Sequence, residues 1–131
     1  NGQRRIGIAA DTGEALRLAE ETVAQRRRLL GPQHGETVRA ERLLGRALAA
    51  AGEHARAIPL LEADLADPDQ SERAQAMAAW FLSVAYRGVG REAEARALID
   101  QHAEDLLRAS HEELNPPERQ ALRELKEYLE Q

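Results

Sequence analysis

"LLGRALAAAGEHARAIPLLEADLADP", residues 43–68, decides the fold. Its first half repeats apolar residues at three- and four-residue steps. Together with the residues just before it, Ala40, Leu44, Ala47, Leu48 and Ala51 form one stripe of a helix over Glu36–Ala51. Gly52 then stops that helix, because glycine takes the left-handed conformation needed just past a helix end. A second apolar series follows through Ala57 and Leu61. It runs out before Pro68, which would lose a backbone hydrogen bond and clash inside a helix. The stretch therefore reads as helix, glycine turn, helix.

The same unit recurs on both sides. "GEALRLAEETVAQRRRLL" begins at Gly13, "GEHARAIPLLEADLAD" at Gly52 and "GREAEARALIDQHAEDLL" at Gly90. Ala15, Ala57 and Ala95 mark equivalent places, 42 and 38 residues apart, and a period near 40 signals a stacked repeat array. Each second helix is preceded by a first: a short one over Gln3–Ala10, then Glu36–Ala51, then Ser71–Arg87. Ser71 is a candidate cap for the last of these. "GPQHG" at 31–35 and "ADPDQ" at 66–70 are the breaks between units. "NPPER" at 115–119 starts a final helix, in which Leu122, Leu125 and Leu129 share one side and charges cover the other, as a solubility cap would require. The expected organisation is a single all-α domain. It has a partial repeat over 3–30, full repeats over 35–67 and 70–108, and a capping helix over 116–131, and is expected to be a piece of a larger protein.

Composition agrees with closely packed helices. Of 131 residues, 43% are apolar and only 3% aromatic. Alanine supplies much of the apolar share and lets helix backbones approach, whereas strands favour β-branched and aromatic residues. The absence of cysteine excludes disulfides and thiolate metal sites and points to a reducing, cytoplasmic compartment. The use of Arg and Ala where Lys and Ile are common points to a GC-rich bacterial genome. No apolar run approaches a membrane span. A net charge of −5 argues against a nucleic-acid binder. That charge is uneven: residues 1–46 carry nine Arg against six acids, and residues 47–131 carry nine Arg and Lys against seventeen acids.

These residues resemble the tetratricopeptide repeat family. Leu44-Gly45, Leu48, Gly52, Ala57, Leu61 and Pro68 follow its pattern, and the next unit follows it through Leu82, Tyr86, Gly90, Ala95 and Ile99. Departures are Glu41 in place of a large apolar residue, Asp64 in place of alanine, and Ser83 in place of glycine. "LLGPQHGETVRAERLLGRAL" is similar to the linker of the kinesin-light-chain-like variety, with Gly35 replacing a proline. The resemblance implies an α-solenoid of antiparallel helix pairs whose first helices line a concave surface.

On that surface it places Arg39, Arg42 and Arg46 from one repeat and Met77, Trp80, Val84 and Arg87 from the next. The three arginines stand three and four residues apart and share a helix face. Arg offers a planar fork of donors to carboxylates, and Trp and Arg are enriched at binding hot spots. The implied function is non-enzymatic protein–protein interaction, a scaffold that holds an extended acidic peptide on Arg39, Arg42, Arg46, Trp80, Val84 and Arg87. The kinesin-light-chain likeness favours the same ligand class. An arginine stripe opposite an apolar stripe is equally what a soluble amphipathic helix shows, and Trp80 and Val84 are equally core residues. Arg26, Arg27 and Arg28 fan around their helix and are expected to be solvated or paired with acids such as Glu36. The alternative function is structural: self-association into a homo-oligomer, or intramolecular control of an attached signalling or transcription-regulator domain.

No catalytic residue, cofactor or metal is expected. His34 belongs to the linker, where a turn hydrogen bond is its expected role. His54 follows a helix stop, and His102 and His111 stand among acids. "HEELN" lacks the second histidine of a zinc-protease motif, and neither a phosphate loop nor a nucleophile elbow is present. Direct nucleic-acid and membrane partners are not expected.

Overall fold

The computed structural model describes residues 2–131, with side chains from residue 13 onward. Seven α-helices follow one another: α1 (Gly2–Leu30), α2 (Gly35–Ala50), α3 (His54–Leu65), α4 (Glu72–Gly88), α5 (Glu92–His102), α6 (Glu104–Arg108) and α7 (Pro116–Leu129), with a single 3-10 turn at His111–Glu113 before α7. No strand occurs among the described residues. The chain is an α-solenoid of helix pairs, each helix packing on the next.

Helix ends are set where the local chemistry requires. The His34 ring nitrogen Nδ1 accepts from Glu36 N–H at 3.1 Å and caps α2. The Ser71 hydroxyl accepts from Ala74 N–H at 3.1 Å at the start of α4. Asn115 and Glu118 form a reciprocal capping box on α7, with Pro116 in the first turn. Gly52 and Gly90 take φ of 84° and 85°, so the α2–α3 and α4–α5 reversals both depend on glycine.

Two expectations change. In place of a short helix over Gln3–Ala10 and a turn at Gly13, one helix runs through to Leu30; the side chains of residues 1–12 lie outside the described residues. The second helix of the last pair is interrupted at Ala103, which separates α5 from α6. Pro59 stands inside α3 without ending it, on the helix's exposed side, where water can satisfy the carbonyl left without a donor.

The layers follow from which helices touch. α2 packs on α4 and α4 on α7, so these three form an inner layer. The outer helices α1, α3 and α5 each contact the flanking inner helices, but have no comparable contact with one another among the described residues. An array close on one side and splayed on the other is concave along its inner layer. Helix α4 is its centre. Leu82, Ala85 and Tyr86 join one core with α1, α2, α3 and α5, while Ala76, Met77 and Trp80 join a second with α5, α6 and α7. The Tyr86 hydroxyl donates to Glu62 on α3. Burial first and that hydrogen bond second push its pKa up to about 12, so it stays a donor.

Within a pair the approach is tight. A Cβ placed on Gly45 of α2 would lie 3.0 Å from Leu60 Cβ and 3.4 Å from Leu61 Cγ, both on α3. Gly45→Val is expected to lower unfolding free energy by about 2 kcal/mol in urea titrations, an over-packing cost. Gly13 has nothing within 4 Å and sits inside α1. Gly13→Ala is therefore expected to gain about 0.5–1 kcal/mol from helix propensity. A loss at Gly13 in the same titrations would argue for a turn there.

Candidate functional site

The six residues expected on the concave surface separate into three settings. Arg42 and Arg46 point from α2 toward the end of α3, where Asp64 is fully buried. Arg46 Nη2 lies 3.4 Å from Asp64 Oδ2, and Arg42 donates through Nη2 to Asp67 Oδ2. Arg42 Nε also stands 3.4 Å from Asp64 Oδ1, but is too poorly aligned to count as a hydrogen bond. Gln70 completes the cluster, its amide donating to Asp64 Oδ1 at 2.8 Å and to the Asp64 carbonyl. Asp67 in turn accepts from Asp69 N–H at 2.9 Å. That backbone bond first and Arg42 second hold the Asp67 carboxyl below the usual aspartate range.

Two cations thus face two anions, and the cluster carries no net charge. It ties the first helix of the second repeat to the loop that leads into the third. Both guanidinium groups remain about a quarter exposed, and the Arg46 guanidinium also lies 5.8 Å from the centre of the Phe81 ring. The remaining exposed surface of each is small, but it is held in place.

Arg39 occupies a different place. It is exposed and lines a shallow cleft of about 220 Å³ between α1 and α2, beside Arg26, Glu36 and the exposed Leu43. Neither Arg26 nor Arg39 has an ion-pair partner among the described residues; Arg27 pairs with Glu41 at 2.7 Å.

Trp80, Val84 and Arg87 lie along α4. Trp80 is buried, and Val84 is half-buried beside it. Together with Phe81 they floor a cleft of about 390 Å³ on the inner layer. Ala49 and Ala50 of α2 make one wall; Pro117, Gln120, Ala121 and Glu124 of α7 make the other. Arg87 stands one helical turn beyond, its guanidinium 4.3 Å from the centre of the Tyr128 ring on α7, a cation–π contact. It has no ion-pair partner among the described residues. Phe81, Gln120 and Glu124 were not singled out in the sequence. Phe81 had the signal of adjacency to Trp80, whereas the α7 residues read as the charged outside of a cap.

Among the described residues no three His, Asp or Glu side chains are placed to hold a metal ion. His102 is half-buried against α4, which pushes its pKa down. No helix among the described residues is long and apolar enough to cross a membrane.

A tetratricopeptide repeat family model matches residues 9–63, spanning most of α1 and nearly all of the α2–α3 pair. The match supports a tetratricopeptide repeat protein, and repeats of this family are non-catalytic and generally mediate protein–protein interaction. No curated protein and no solved structure gives a match.

The buried cluster makes a stability prediction. Asp64→Ala leaves Arg42 and Arg46 half-buried without their shared anion, and should cost about 3 kcal/mol in chemical denaturation. Asp67 acts through pH. Its depressed pKa contributes stability above the ordinary aspartate value of about 3.9, and that contribution is lost as pH falls through the folded value. Unfolding free energy should therefore drop below about pH 4, and Asp67→Asn should flatten that drop.

Proposed function

We propose that this tetratricopeptide array is a scaffold that holds an extended segment of a partner protein along its inner layer, across α2, α4 and α7. The observation that carries this reading is the cleft at Trp80, Phe81 and Val84. It is apolar on its floor, is flanked by small alanines that leave room on one wall, and is bounded by polar side chains on the other. Its volume of about 390 Å³ is at the small end of binding clefts. It suits a single large side chain from a segment lying across it. An extended chain can then reach Arg87 on one side and the α2 arginines on the other.

The partner segment carries carboxylates. Arg87 has no internal anion among the described residues and is free to receive one, whereas Arg39 opens onto the α1–α2 cleft instead. Arg42 and Arg46 enter as pre-positioned cations, since Asp64 and Asp67 fix their orientation. The linker around Gly31–Thr37 adds a likeness to the kinesin-light-chain variety, whose members take acidic segments containing tryptophan. His34 contributes there through the hydrogen bond expected of it in the linker, which caps α2.

Selection from a displayed library of random peptides, about nine residues long, tests the reading. Selected peptides are expected to share one large apolar side chain. In fluorescence anisotropy, Val84→Glu should weaken them at least ten-fold, corresponding to about 1.4 kcal/mol, and Arg87→Glu about five-fold by removing a rim charge. Circular dichroism should show the helices intact. Unchanged binding by Val84→Glu would sink the groove. If no peptide is selected and light scattering shows mass rising with concentration, self-association is the function instead.

A further inference from the structure

The inner cleft is not electrically uniform, and its negative side was not expected from an acid-binding groove. Glu124 stands on the α7 wall, exposed, with no cation within ion-pair distance among the described residues. Among the described residues, the only side-chain hydrogen bond its carboxylate receives is from the neutral Gln120 amide, at a long 3.4 Å. Elsewhere in the fold, acids such as Asp64, Asp67, Asp105, Glu41 and Glu94 each hold an arginine. Glu124 faces an apolar floor instead. A carboxylate beside a low-dielectric surface acts more strongly on a neighbouring charge than one in open water. It attracts a cation and repels a second carboxylate.

The positive group is offset from it. Arg87 lies over Tyr128, one turn along α7 from Glu124. Along the seam between α4 and α7 the order is therefore apolar cleft with Glu124 at its edge, then Arg87. A uniformly acidic segment would meet Arg87 favourably and Glu124 unfavourably, so it would leave one site unmatched.

We propose that Glu124 makes this cleft selective for a segment of mixed charge: one large apolar side chain seated on Trp80, Phe81 and Val84, a lysine or arginine next to it opposite Glu124, and a carboxylate further on at Arg87. This rests on the groove reading above and narrows it, since the partner is not acidic throughout. Like-charge juxtaposition is a common device for rejecting wrong partners, and Glu124 supplies it against all-acidic segments.

The same peptide selection separates the two levels when the enriched sequences are read by position. Lysine or arginine is expected within two positions of the shared apolar residue, and an acid on one side only. For a synthetic peptide of that consensus, Glu124→Lys should weaken binding at least ten-fold. Repeating the selection on the Glu124→Lys protein should replace the basic residue with Asp or Glu. Substituting Lys126, on the same helix but outside the cleft lining, should change neither. Enrichment of acids alone, or an unchanged affinity in Glu124→Lys, would overturn the charge selectivity while leaving the groove in place. Failure to enrich any peptide, or indifference to Val84→Glu, would overturn the groove and this inference together.

Discussion

The array depends on how closely the two helices of a pair can approach. At Gly45 there is space for a hydrogen and little more, because Leu60 and Leu61 of α3 already occupy the volume a side chain would need. The corresponding residue of the next pair is Ser83, fully buried, with its hydroxyl returned to the Trp80 carbonyl at 2.7 Å. A serine folded back on its own helix is small enough to keep the approach, and its polar atom is satisfied without a partner across the interface. Ala57 on α3 and Ala95 on α5 have no exposed surface. Small residues at these four positions let the two helices of each pair lie close.

Helix α4 turns a stack of pairs into one body. Among the described residues it buries nine, more than any other helix, because it faces two cores at once. Tyr86 near its end reaches back to Glu62, and Trp80 in its middle reaches forward to α7. At roughly 1.5–3 kcal/mol for each large buried apolar side chain, this helix holds a large share of the stability. It is also the floor of the groove. Changes on its inner edge must therefore be confined to half-buried positions such as Phe81 and Val84, whose outer surface is open while their inner surface packs.

Much of this was legible in the sequence, for a physical reason. Helix pairs, glycine turns and caps are local, and their signals sit within a few residues of one another: Gly52, Gly90, Ser71 and the helix start at residues 115–119 all act where their spacing suggested. Side-chain pairings between helices are not local. The sequence displayed Asp64 as a departure from the family pattern and Arg42 and Arg46 as a stripe. Only the fold brings them within 3.4 Å, across 18 and 22 residues of chain. Helical spacing likewise put Arg39 on the same stripe, although three residues of offset are enough to aim it toward α1. The α7 wall was hidden by the same limit, since an amphipathic closing helix does not reveal which of its charged residues flank a neighbour's groove.

The neutralised cluster changes what a positive groove means here. Two arginines with no anions near them would draw carboxylates from a distance but would have to be ordered on binding, at a cost of roughly 0.5–1.5 kcal/mol for each immobilised side chain. Asp64, Asp67 and Gln70 have already met that ordering cost in folding, and in doing so have cancelled the net charge. Long-range attraction is traded for orientation. What remains is a set of short-range selectors: the apolar cleft on α4, Arg87 over Tyr128, and Glu124 on α7. On the proposed reading, such a surface would discriminate by the order of side chains along a segment more than by its total charge. That property follows from Asp64 occupying a position where the repeat pattern expects alanine.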